Sequence, residues 1–358
     1  MSAAPTALQQ RARTKDLTIE TARGLACILL VFYHTVGADK TLGLTVDDGS
    51  VLRWVTDSMV FLRMPLFTFL SGFVYAMRPA YSGWGGFMRK KLRRLMVPMF
   101  VLGTLYMLVK VVLGDAVNNS YELPLWQWHI VVPIEHFWFL EALLVLFAMI
   151  AVIDRFRLAE TRRSASAWLV AAVAFSVVVG PFVENVKFFS TMGTVYLLPF
   201  FFLGVFARRF DWRGSPAAVQ ISTGVVAVAL IGVSQLGVVG VIPDIQTRYS
   251  LSAILLSGIA CLALLSTRWS WRPLAFIGKY SYAIFLMHVF GSAGSRILFA
   301  RIGVENTYVL LVIGMAAALG LPMIVQWLCG YSRVLRLLVL GQSWGGPKKR
   351  LRSAGHPA

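Results

Sequence analysis

Ten runs of about 17–25 mainly apolar residues divide this chain, and that length is what a helix needs to cross the hydrocarbon core of a bilayer. Where water is absent, every backbone N–H and C=O must be bonded within the chain, so such runs fold as helices rather than open strands. The runs lie near 20–38, 58–77, 95–113, 136–153, 165–183, 194–207, 217–242, 250–267, 280–300 and 307–329, the sixth being short. The expected fold class is an all-α integral membrane bundle of about ten transmembrane helices. Charged residues make up 14% of the 358, against about 25% in an ordinary soluble domain, which excludes a water-soluble globule.

The net charge of +18 does not point to nucleic acid, because the basic residues sit in short loops between apolar runs. Lys and Arg cluster before run one and after runs two, four, six, eight and ten, whereas 114–135 holds neither. By the positive-inside rule this alternation puts both termini in the cytoplasm. The expected organisation is a disordered cytoplasmic N-terminus 1–16, a ten-helix membrane domain 17–335 and a basic cytoplasmic tail 336–358, with Lys348–Arg352 held at the lipid surface. No small-residue cleavage site follows the first apolar run, so no cleaved leader is expected. Cys27, Cys261 and Cys329 fall inside apolar runs, spaced for neither a metal nor a disulfide framework. Trp126 and Trp128 fit an interfacial aromatic belt.

Within the first run stand Arg23 and His34. Eleven residues at about 100° each bring them to one helix face, roughly 16 Å apart along the axis. A charged group at membrane depth marks a functional site by default. Neutral imidazole, with an unperturbed pKa of about 6.5, can take a proton from a hydroxyl. Arginine binds phosphate or carboxylate with a fork of donors. An anionic donor entering from the cytoplasm would be gripped at Arg23 with its reactive end near His34. Glu141, inside run four, needs a partner or a proton at that depth. His288 in run nine reads as a helix–helix hydrogen bond or a second functional imidazole. Arg63 reads as capping or snorkelling at the outer edge, and Ser71-Gly72 as a place where a backbone or a thin ligand chain comes close. The basic stretch Arg89–Arg94 ahead of Pro98 suits either phosphates or anionic lipid.

Arg23-x10-His34, MPLFTFLSGF at 64–73, the basic stretch before Pro98, HFWFLEALL at 136–144 and IGKYSYAIFLMH at 277–288 together resemble the family-3 integral membrane acyltransferases. That family O-acylates bacterial surface and secreted glycans. The motifs run in the family's order from about residue 16 to 335. The resemblance implies transfer of an acetyl, or else a succinyl, group from cytoplasmic acyl-CoA to a sugar hydroxyl of a cell-surface or secreted polysaccharide, in the bacterial inner membrane. No permanently bound cofactor is implied; acyl-CoA is a co-substrate.

On this reading His34, Arg23 and Glu141 are catalytic. Arg23, Lys91, Arg94, Ser71 and Gly72 contact the donor, and Trp138, Tyr282 and His288 contact the acceptor. The chain departs from the family at Lys91, where members often carry arginine, so one phosphate contact loses its bidentate fork. A succinyl donor would call for a second carboxylate-binding arginine, and none is identifiable from the sequence. The expected partners are acyl-CoA, a glycan or lipid-linked oligosaccharide and membrane lipid, with a homo-oligomer compatible. A multi-span transporter of a small polar substrate is the competing reading, since buried polar groups also serve transport; no internal repeat is visible to support it.

Overall fold

The structure, a computed structural model, describes residues 16–343 apart from 82, 115–131 and 246. Trp126, Trp128 and the Lys348–Arg352 cluster lie outside the described residues. Thirteen α-helices and no strand are found among them: α1 Leu17–Val36, α2 Val51–Ser58, α3 Val60–Ala76, α4 Trp84–Leu113, α5 Trp138–Arg155, α6 Arg162–Val183, α7 Thr191–Arg209, α8 Ala217–Val238, α9 Leu251–Ser266, α10 Arg272–Lys279, α11 Ser281–Arg301, α12 Thr307–Leu328 and α13 Arg333–Leu340. Short 3-10 turns at Glu135–Phe137 and Phe188–Ser190 lead into α5 and α7.

Nine helical segments among the described residues are long and apolar enough to cross a membrane, against ten expected. The exception is α9, whose 16 residues span roughly 24 Å, short of a hydrocarbon core of about 30 Å. Even so, α9 runs the length of α7. Just before it, the Tyr249 hydroxyl donates to Met192 O at the start of α7 (3.2 Å). At its far end the Ser266 hydroxyl accepts from Trp212 Nε1, just past the end of α7 (2.9 Å). The run read as short, near 194–207, is a full-length crossing once the turn at Phe188 is included: Phe188–Arg209 has 22 residues.

Burial sorts the helices into two shells. The segments Leu17–Val36, Val51–Ala76, Glu135–Arg155 and Phe188–Arg209 have most of their apolar window inside the protein, up to 72% for Glu135–Arg155; Ala217–Val238 has 11%. So α1, α3, α5 and α7 form the core, while α6, α8 and α12 present their length to lipid. Glycines let the core backbones touch. A methyl group at Gly72 would sit 2.1 Å from Phe201 O, and one at Gly204 would sit 2.0 Å from Phe69 O, so α3 and α7 meet through a reciprocal glycine pair. Gly24 on α1 and Gly278 on α10 make a second such pair, against Leu274 O and Glu20 O.

Polar contacts gather the ends. Asp16 caps α1 by accepting from Thr18 N (2.9 Å) and binds Arg213 at 2.6 Å through its other oxygen. Arg268 donates to Arg213 O (2.7 Å), and Trp271 N donates to the Thr21 hydroxyl (3.0 Å). Arg93 Nε donates to Gly341 O (3.2 Å). Asp16 and Gly341, near the two ends of the described chain, therefore lie at one end of the bundle, together with Arg93, Arg94, Arg213 and Arg268. A buried network stiffens this end: Arg209 Nη2 meets both oxygens of Asp154 (2.5 and 2.6 Å), and the Tyr75 hydroxyl donates to Asp154 at 2.7 Å.

Candidate active site

α1 carries a polar group at each end of one stripe, and each end has become the centre of a cluster. At the upper end His34 is joined by two histidines from other elements: His136 in the turn before α5 and His288 on α11. The ring centroids are 4.8 Å apart for His34–His288, 4.8 Å for His136–His288 and 6.1 Å for His34–His136. His288 Nδ1 lies 2.9 Å from Phe285 O and 3.0 Å from Ile284 O. Both are acceptors, so Nδ1 bears the proton and Nε2 is left as a buried acceptor without a partner. His136 follows the same logic: Nε2 faces Leu286 O at 3.4 Å, and the buried Nδ1 has no partner. Among the described residues no group of three or more His, Cys, Asp or Glu side chains is arranged to hold a metal ion.

Two cavities meet at His34. One, of about 240 Å³, is lined by His34, Tyr106, Lys110, Glu135, Phe290 and Arg296 among others. The second, of about 280 Å³, has His34, Arg63, His136, Trp138, Tyr196 and Arg248 in its wall. Glu135 belongs to both and forms an ion pair with Lys110 at 2.7 Å. Hence His34 faces space on two sides, which a base acting on an incoming hydroxyl requires.

At the lower end Arg23 donates to Glu20 (3.2 Å) and keeps 27% of its side chain exposed. Lys91, on α4, is close enough to feel the charges of both Arg94 and Arg23. Its ammonium stacks 3.3 Å from the centre of the Phe147 ring, and the Arg94 guanidinium lies 5.0 Å from that of Tyr282. The three cations expected to hold the donor are thus brought together. Pro98 explains how Arg94 is held there. Proline has no N–H, so the carbonyl four residues earlier, that of Arg94, loses its helical donor. The Tyr282 hydroxyl supplies the missing hydrogen bond.

Other expected site residues are placed differently. Tyr282, expected at the acceptor, stands with the basic cluster, whereas Trp138 and His288 do lie with His34. The Ser71 hydroxyl donates to Phe67 O within its own helix (2.8 Å), and the space before Gly72 is filled by Phe201 O; neither residue lines the cavities at His34. Glu141 is fully buried with both oxygens unpartnered, and it lines neither cavity.

Between the clusters, along the stripe 23–27–30–34, Cys27 and Leu30 are packed to 0% and 2% exposure. Neither cavity reaches Arg23, Lys91 or Arg94. A donor gripped at Arg23 with its reactive end near His34 would have to pass these side chains. Sequence reasoning also gave no role to His136 and placed Arg63 at the outer edge. Arg63 is buried and shares a cavity with His34. The signal for His136 was present: a histidine two residues before the tryptophan that opens a core helix.

A family model described as an acyltransferase domain matches residues 16–327, which include both clusters and every helix through α11. Comparison with curated proteins and with solved structures gives no match. With nine crossing-length apolar helical segments among the described residues and a family match over nearly its whole length, the chain belongs to the family 3 acyltransferases, a family of integral membrane enzymes.

Proposed function

We propose that this acyltransferase takes an acetyl or succinyl group from cytoplasmic acyl-CoA and delivers it to a sugar hydroxyl of a cell-surface or secreted polysaccharide. The basic end of the bundle, with Arg23, Lys91 and Arg94, faces the cytoplasm of a bacterial inner membrane and holds the phosphates of CoA. The opposite end admits the glycan, or its lipid-linked precursor, to the cavities at His34.

His34 is the base in this scheme. A neutral ring nitrogen takes the proton of the acceptor hydroxyl as its oxygen attacks the thioester carbonyl. The C–O bond forms, the C–S bond breaks, and the proton passes to the departing thiolate to give free CoA. His288 and His136, each tied to a carbonyl through one nitrogen, hold their rings beside His34 and keep an acceptor nitrogen available to it. The observation that carries the reading is the position of His34, which lies at the junction of two cavities and on the same helix face as the cation nearest the basic cluster. The test is His34→Ala. Glycan acylation, read by mass spectrometry of surface polysaccharide, should vanish at unchanged protein abundance; retained acylation refutes the role.

A further inference from the structure

We propose that Arg63 is a carboxylate-binding subsite beside His34, so that one of the two substrates meeting there carries a carboxylate close to its reacting group. The inference rests on the acyl-transfer reading and narrows its substrate class. The carboxylate belongs either to an acid-bearing sugar in the acceptor or to the far end of a dicarboxylic acyl group.

Arg63 lies in the first turn of α3 and is 8% exposed. Two other arginines with buried side chains each have an acidic partner. Arg209 meets Asp154, and Arg53 donates to Gly37 O with Asp48 at 3.9 Å. Among the described residues Arg63 has no ion pair, no side-chain hydrogen bond is found for it, and its Nη1 is buried without a partner. A desolvated guanidinium in that condition is costly, and a carboxylate is the group whose two oxygens fit its fork.

The guanidinium is also held ready. It lies over the face of Tyr33, 3.7 Å from the ring centre, and the Tyr33 ring is 4.9 Å from that of His34. Arg63 and His34 line the same cavity of about 280 Å³, with Trp138 and Tyr196 as aromatic walls. The acidic groups in the neighbourhood are otherwise disposed: Glu135 is paired with Lys110, and Asp57, whose field reaches Arg63, forms no ion pair with it. Arg248 stands exposed in the same cavity wall, its guanidinium 5.4 Å from the centre of the Tyr196 ring, where it adds to the attraction for an anion.

The test separates binding from chemistry. Purified full-length protein in nanodiscs is titrated with glucuronate, succinate and neutral glucose, and binding is followed by ligand-observed NMR. At least one acid should bind about tenfold or more tightly than glucose, and Arg63→Gln should remove that preference. Arg63→Lys, which keeps the charge and loses the fork, should retain part of it. Preference for glucuronate assigns the carboxylate to the acceptor; preference for succinate assigns it to the acyl group. Equal binding of acids and glucose, or an undiminished preference in a folded Arg63→Gln protein, overturns the proposal. Loss of the preference in Arg63→Gln with part of it kept in Arg63→Lys, while each variant elutes and melts as wild type does, supports it. Because no acyl donor is present, failure of the acyl-transfer reading would instead appear as His34→Ala retaining glycan acylation.

Discussion

Replacing Arg23 by glutamine tests the donor site directly, because the structure sets the size of the effect. A hydrogen bond to a charged partner contributes about 1.5–3 kcal/mol. Part of the Arg23 fork is already taken by Glu20, and 27% of the side chain is exposed, which places its contribution at the low end, about 1.5 kcal/mol. That corresponds to roughly a tenfold rise in KM for acetyl-CoA with kcat preserved. The assay is initial-rate acyl transfer in proteoliposomes, run in parallel with acetyl-N-acetylcysteamine, a thioester that lacks the CoA phosphates. Arg23→Gln should leave the short thioester unaffected, while Arg23→Lys should fall between the two proteins. If the variant slows both thioesters equally, or lowers kcat at unchanged KM, Arg23 does not hold the phosphates and the donor site must be sought elsewhere.

Other outcomes follow from the packing. Asp154→Asn leaves Arg209 buried beside a neutral amide and should lower thermal stability by about 3 kcal/mol; adding Arg209→Met should recover much of the loss. Tyr282→Phe withdraws the donor to the Arg94 carbonyl that Pro98 left free, and should cost about 1 kcal/mol in unfolding and raise KM for acyl-CoA. Reporter fusions at Ser215 and after Gly341 should be cytoplasmic and one at Thr45 external; opposite signals at Ser215 and Gly341 would contradict the placing of both on one side. In a protein lacking Cys261 and Cys329, alkylation of buried Cys27 should be slow and should change on adding desulfo-CoA; an unchanged rate would show that the donor arm takes another route.

The sequence was most legible where a single helix carries the information. The face shared by Arg23 and His34 follows from 3.6-residue periodicity alone, and the apolar runs correspond to the main helices within a few residues, except that α4 starts at Trp84, eleven residues before its run, in the basic stretch. Contacts between helices were beyond that reach. Nothing local says that a histidine before α5 and another on α11 close on His34, nor that Arg63, seven residues ahead of Leu70 in an apolar run, turns inward over Tyr33. Gly72 read equally well as a ligand channel or a helix contact, and Phe201 O on α7 decides it. The short helices α10 and α13 escaped notice because eight residues are too few for an apolar run to register. Their polar faces lie outside the pattern that marks a crossing.

The packed stripe between the two clusters has a physical reason in a membrane enzyme. The cavities at His34 open away from the basic end, so a standing passage from Arg23 to His34 would complete a wet path across the bilayer. Cys27 and Leu30 keep that path shut. On the proposed reading a donor arm entering from the basic end would have to part these side chains, along the face of α1 that holds Arg23. The element best suited to yield is α4. It carries Lys91 and Arg94, and at Pro98 its helical hydrogen bonding is already interrupted, with only the Tyr282 hydroxyl holding the freed carbonyl. A phosphate bound at Lys91 and Arg94, as proposed, would act on the segment just ahead of that interruption. If the proposed donor binds there, its binding and the opening of its route are coupled through one residue, and Pro98→Ala, which restores the missing N–H, should stiffen α4 and slow acyl transfer from CoA without weakening the glycan site.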